Sequence, residues 1–266
     1  MLKIRVIPTL LWKNVGLVKG VSFNSWRRIG TLMPALKVYN TREVDELILV
    51  EISATTEGYE PDYQSIEELA AECFVPLTVG GGIRTTEHIR KLLLAGADKV
   101  CINSAAYEVP ELIAQGAKRF GSQCIVVSID ARKRQDGSYE CFSHSGSRST
   151  QKEPGEWAQT VEALGAGEIL ITSIDKDGTM EGYDMELIKR VTDCVRIPVI
   201  ASGGAGSYQD MVQAVVLGKA SAIAAASIFH FTHATPLEAK QFLAHKGIAV
   251  RDIRVMENLP LTPSES

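Results

Sequence analysis

Val79-Gly80-Gly81-Gly82-Ile83 and Ala201-Ser202-Gly203-Gly204-Ala205-Gly206 decide how this chain folds. Each follows a short apolar, β-branched run, Phe74 to Thr78 and Ile197 to Ile200, and each precedes a helix-like segment. Strand, glycine turn, helix is an arrangement that turns backbone N–H groups toward an oxyanion. Gly82 and Gly204 stand 122 residues apart, and the same offset relates Glu46-Leu47-Ile48-Leu49-Val50 to Glu168-Ile169-Leu170-Ile171-Thr172. Val6 to Leu11 corresponds to Ile125 to Asp130 at an offset of 119, and Ala105-Ala106 resembles Ala226-Ser227. The chain reads as two related halves with two anion sites.

Outward from those turns, eight Val- and Ile-rich runs begin near Lys3, Glu46, Phe74, Lys99, Gln123, Glu168, Ile197 and Ala220. Near-continuous apolar runs are typical of parallel strands covered on both faces. Helix signals lie between them. Ile66, Leu69, Ala70 and Cys73 share one face, as do Ile89, Leu92 and Leu93 behind a cap at Thr85 or Thr86. Ser207 and Asp210 form a capping-box pattern, and Gly218 stops the helix that follows. Eight strand–helix units suit a (β/α)8 barrel built from two half-barrels. A doubly wound open sheet is the rival, and the unit count and matched halves favour the barrel. Residues 1–251 form one barrel domain on this reading, and Asp252 to Ser266 a mobile tail.

With 266 residues, 45% hydrophobic and 23% charged, the chain can bury a sizeable core, and a net charge of −4 argues against a nucleic-acid or membrane-surface binder. Five cysteines without CxxC spacing point to a reducing, cytoplasmic setting with no disulfide frame or zinc site. His88, His144, His230, His233 and His245 show no metal spacing, and neither a metal nor a cofactor is expected.

Barrel chemistry gathers at the C-terminal strand ends. Asp130 ends the fifth strand, where a partly desolvated carboxylate suits acid–base work; an N-cap or ion-pair role is the alternative. Asp175 and Asp177 end the sixth, with Gly178 and Thr179 in a ligand-facing turn, although Asp and Gly are also ordinary loop residues. Gly82, Asn103 and Ser104 form one expected phosphate grip, and Gly178, Gly204, Ala226 and Ser227 the other. Lys19 falls in the loop after the first strand, where a lysine is ordinarily solvated or closes over an anion. Arg5, Glu46, Lys99 and Glu168 all lie near strand starts. If they point inward they form a neutral ring at the barrel floor, which on residues alone reads as an ion-pair network.

These residues, with Leu77-Thr78-Val79-Gly80-Gly81-Gly82-Ile83-Arg84, Gly96-Ala97-Asp98-Lys99-Val100, Phe120-Gly121-Ser122-Gln123-Cys124 and Asp177-Gly178-Thr179, resemble the cyclase subunit of imidazole glycerol phosphate synthase from about Leu2 to Arg251. The resemblance implies a glutaminase subunit docked at the floor near Asp98, ammonia passing the ring of Arg5, Glu46, Lys99 and Glu168, and a two-phosphate substrate at the mouth beside Asp130. The family's other catalytic aspartate is missing: its Cys-Leu-Asp-Val is here Thr9-Leu10-Leu11-Trp12, and its Leu-Asp-Ile is Val50-Glu51-Ile52. Losing one acid–base partner typically costs a factor of roughly 10²–10⁴. The chain therefore resembles a divergent paralogue that passes ammonia to a third, amidotransferase protein acting on a surface-polysaccharide sugar. A working cyclase using Asp130 with Glu51 or Asp177 is the second reading, and a non-enzymatic glutaminase activator the third.

Overall fold

The computed structural model describes residues 3–14 and 16–251. The expected tail, 252–266, lies outside the described residues. The strands are β1 (Arg5–Lys13), β2 (Gly16–Val21), β3 (Asn24–Gly30), β4 (Leu47–Glu51), β5 (Leu77–Gly80), β6 (Lys99–Ile102), β7 (Ile125–Lys133), β8 (Tyr139–Ser143), β9 (Arg148–Ser149), β10 (Glu168–Ser173), β11 (Val199–Ser202) and β12 (Ala222–Ala225). The helices are α1 (Leu32–Thr41), α2 (Ala54–Glu57), α3 (Tyr63–Ala71), α4 (Thr86–Leu94), α5 (Ser104–Glu108), α6 (Glu111–Phe120), α7 (Pro154–Ala163), α8 (Met185–Thr192), α9 (Tyr208–Val216), α10 (Ser227–Phe231) and α11 (Pro236–His245).

Among the described residues, eight parallel strands close on themselves in the order β1, β4, β5, β6, β7, β10, β11, β12 and back to β1. This is a (β/α)8 barrel. Strand period two divides each strand between two cores. Ile7, Ile48, Cys101, Val126, Leu170, Ile200, Ala222 and Ala224 fill the interior. Their neighbours, such as Val6, Leu47, Leu49, Val100, Ile125 and Ile169, pack outward beneath the helices.

Local chemistry fixes the helices where the sequence places them. Thr85 caps α4 by accepting from His88 N, and Ser207 with Asp210 makes the reciprocal capping box of α9. The third barrel strand starts at Leu77, not near Phe74. Pro76 has no N–H to give a ladder, and Phe74 is 79% exposed on the floor.

Two antiparallel hairpins were not expected. β1 runs on past the barrel and pairs with β2, which pairs with β3; β7 likewise pairs with β8, and β8 with β9. The extended strand and its hairpin recur at the first and fifth positions, so the halves match here too. Lys19, expected in a loop, lies on β2.

Candidate functional site

The mouth of the barrel holds a cavity of about 230 Å³. Leu11, Val50, Asn103, Ser128, Asp130, Thr172 and Ser202 line it from the tops of the strands. Asp130 is buried at the end of the β7 barrel segment, opposite Thr172 of β10. Ser128 Oγ donates to its Oδ1 at 3.0 Å and Asn103 Nδ2 to its Oδ2 at 3.2 Å. Burial nevertheless dominates and pushes this carboxyl up to about 7, with the nearby Asp177 adding to the rise. A group with that pKa exchanges a proton near neutral pH.

The glycine turns frame the cavity from opposite sides. Gly81 and Gly82 take φ of 107° and 70°, and Gly203 and Gly204 take 88° and 107°. A Cβ on Gly204 would run into the Gly182 carbonyl, and one on Gly82 would lie 2.9 Å from the Tyr59 carbonyl. Beside them, Asn103 and Ala226 precede α5 and α10 with similar backbone angles, φ −116°, ψ −83° and φ −129°, ψ −68°. Neither helix start has a side-chain cap. Ser104 Oγ donates to Asn103 Oδ1 at 3.3 Å and accepts from His144 N at 2.9 Å. Ser227 Oγ is buried without a partner, as is Thr9 Oγ1 deeper in the barrel. Gly82 N donates to Thr55 Oγ1 at 3.4 Å and Gly206 N to Asp210 Oδ2 at 3.0 Å; glycine turns of this shape ahead of helices suit oxyanions.

Lys19 is 3% exposed, and its Nζ meets Asp177 Oδ1 and Oδ2 at 3.0 and 3.1 Å. It is therefore not a solvated loop lysine: it reaches the cavity lining already paired with Asp177. Gly178 follows Asp177 at φ 79°, directly under the Gly20 carbonyl. Glu51 is also committed: it accepts from Ser53 N at 2.9 Å, Ser53 Oγ at 2.7 Å and Ala54 N, neutralising the start of α2. Leu11 stands in register with Val50 and Val18, an apolar residue between apolar neighbours.

At the opposite end the four expected floor charges meet. Arg5 Nη1 contacts Glu46 Oε1 at 2.9 Å and Glu168 Oε1 at 2.8 Å; Lys99 Nζ contacts Glu46 Oε2 and Glu168 Oε2, both at 3.0 Å. Alternating signs close a quadrilateral across the barrel axis. Burial works against the Glu46 carboxylate, yet Arg5 and Lys99 outweigh it and hold its pKa below the usual range. Asp98 is exposed at the same face, and its Oδ2 takes the Leu77 N–H at 2.8 Å, so it also pins the start of β5.

Several contributors escaped the sequence reading. Ser128 sits two residues before Asp130, hence on the same inward face, a spacing that would have found it. Phe23 and Trp26 of the first hairpin roof the cavity. His144 lines it too, with Nε2 3.5 Å from Glu108 Oε1. Buried Asp45 joins Val6 N (2.8 Å) to Lys240 Nζ (2.9 Å) beneath the floor. Among the described residues, no cluster of His, Cys, Asp or Glu could hold a metal ion, and no helix is long and apolar enough to cross a membrane. Compared with models of protein families, residues 5–235 match one described as "Histidine biosynthesis protein".

Proposed function

The chain belongs to the histidine biosynthesis protein family, and from that premise we propose that it is the ammonia-receiving barrel subunit of a glutamine amidotransferase pair. The observation that carries the reading is vertical order along one axis. The ion quadrilateral lies at the floor, the well of Ile7, Ile48, Cys101, Val126, Leu170 and Ala224 above it, and Asp130 above that. Ammonia is small and neutral, so an apolar passage carries it without the desolvation that an ammonium ion would suffer. Contacts of 2.8–3.0 Å leave no gap in the ring, and passage requires one pair to part.

A glutaminase subunit docks on the floor in this proposal. Phe74, Leu94, Val216 and Leu217 are the most exposed large hydrophobic side chains among the described residues; Leu94 and Val216 end α4 and α9, and Phe74 and Leu217 lie in the connections from a helix to the next barrel strand. Ring closure of an imidazole uses two acid–base groups, and of the four carboxylates lining the mouth, Glu51, Glu108, Asp130 and Asp177, Asp130 is the one tied neither to a basic side chain nor to a helix start. Leu11 transfers no proton, while Glu51 and Asp177 are held by α2 and Lys19. The proposed destination of the ammonia is therefore a third protein that amidinates a surface-polysaccharide sugar.

A working cyclase of histidine biosynthesis is the second reading. Both glycine cradles and a carboxyl with a pKa near 7 favour it. Supplying the purified protein with the two-phosphate cyclase substrate and ammonium salt separates the two. No ring product, together with accelerated glutamate release from an added glutaminase partner, supports the ammonia-receiving paralogue. Ring product at a useful rate overturns it. If neither ring product nor stimulation is seen, the amidotransferase pairing itself fails.

A further inference from the structure

We propose that the mouth cavity selects an oxyanion ester whose neighbouring group is planar and apolar, and that Leu11, Val50, Phe23 and Trp26 make the selection. The cavity walls differ in chemistry. Toward β6, β7 and β10 they are polar: Asn103, Ser128, Asp130 and Thr172. Toward β1 and β4 the apolar side chains are Leu11, Val50 and Ile52, alongside Thr9, Glu51 and the β2 residue Lys19. Leu11 and Val50 are register partners on adjacent strands, so their side chains form one continuous apolar surface.

Phe23 and Trp26 cover the cavity from the first hairpin, with ring centroids 6.5 Å apart and tilted by 37°. Close packing holds both rings. A Cβ on Gly146 would come within 2.9 Å of the Phe23 ring, and one on Gly20 within 2.8 Å of the Trp26 ring. The carboxylates on this side are already paired: Glu51 with the start of α2, and Asp177 with Lys19. Thr9, two residues before Leu11 on β1, lines the base of the cavity below this wall. A polyol placed against this wall would give up hydrogen bonds to water without replacement. A flat ring would bury its faces between the Leu11–Val50 wall and the aromatic roof, where offset and tilted ring contacts are favourable.

This inference rests on the reading that the glycine turns hold an oxyanion, so the test uses two monoesters of like charge. Phenyl phosphate and glycerol 1-phosphate are titrated at pH 8 by calorimetry and by tryptophan fluorescence. Trp12 and Trp157 are buried in the outer core, leaving Trp26 as the reporter at the cavity. Phenyl phosphate is expected to bind about tenfold tighter or more, from the apolar area of one ring, and to change the fluorescence; Trp26→Phe removes that change. Leu11→Asp repels both esters through its charge, so the affinity ratio isolates the lost apolar contact, and the preference should collapse. Leu11→Ala, which adds no charge, should reduce it with the fold intact by circular dichroism. Equal affinities, a preference for glycerol 1-phosphate, or a preference untouched by both Leu11 variants would overturn the selection while leaving the cradles standing. Binding of neither ester would overturn both.

Discussion

At the scale of single residues, Asp130 sets the balance between stability and chemistry. Its folded pKa, about 7, lies above the 3.8 of an unperturbed aspartate because burial penalises the charged form. The folded state therefore holds the proton more tightly than the unfolded chain. Ionisation opposes folding, and stability falls as pH rises from about 4 to about 7, then levels. A shift of this size corresponds to on the order of 4 kcal/mol. Asp130→Asn keeps the shape and removes the charge. It should raise stability at pH 8 by up to roughly that amount, and the gain should shrink to about a third at pH 5. Urea unfolding at the two pH values measures it, and a gain independent of pH would contradict the assignment. Leu11, at the corresponding place in the other half, carries no such penalty, so one half of the mouth gains stability where the other retains a proton-transfer group.

At the scale of elements, the first hairpin is held over the mouth by the loop after β10. Ser22 N donates to the Asp177 carbonyl at 2.8 Å, Ser22 Oγ to the Asp175 carbonyl at 3.2 Å, and Lys19 pairs with Asp177. Gly178 allows the close approach because it has no Cβ to strike the Gly20 carbonyl. Gly178→Ala adds that Cβ and a strained φ, at a local cost of about 1–3 kcal/mol. Amide exchange should accelerate across Gly16–Val21 while β4 and β11 keep their protection; unchanged exchange in β2 would show that the hairpin is anchored elsewhere. These contacts join residues more than 150 positions apart, so nothing near Lys19 in the sequence marks it as part of a strand. The second hairpin was more accessible. Asp136-Gly137 is a strong turn signal between β7 and β8, and Tyr139 to Ser143 has the composition of a strand. The apolar run ends at Asp130, and the polar continuation of β7 beyond it lacks a strand-like hydrophobic pattern.

At the scale of the whole molecule, the two ends of the barrel divide the labour. The eight barrel strands were legible from their short Val- and Ile-rich runs; whether Arg5, Glu46, Lys99 and Glu168 point inward was not, because a run apolar on both faces does not say which face each residue takes. The commitment of Glu51 and the aromatic roof were not legible either, since both depend on how a turn folds back on its strand. The floor carries the assembly claim. Phe74 and Leu94 are 79% and 73% exposed; Phe74 precedes β5, and Leu94 ends α4 ahead of Asp98 and of Lys99, a corner of the ring. Neither packs in the core, so Phe74→Asp combined with Leu94→Asp should leave stability within about 0.5 kcal/mol for each site. If the proposed glutaminase seats there, large apolar anchors at an interface are worth about 2 kcal/mol or more each. The double variant should then bind the partner more than about a hundredfold more weakly, by sedimentation or calorimetry, and lose its stimulation of glutamate release. Val109→Asp serves as the control: Val109 is exposed, follows β6 and α5 at the mouth end away from the floor, and its variant should bind as the parent does. Full pairing by the floor variant would place the partner on another face, and the alignment of ring, well and Asp130 would then have to serve a ligand entering from the mouth alone.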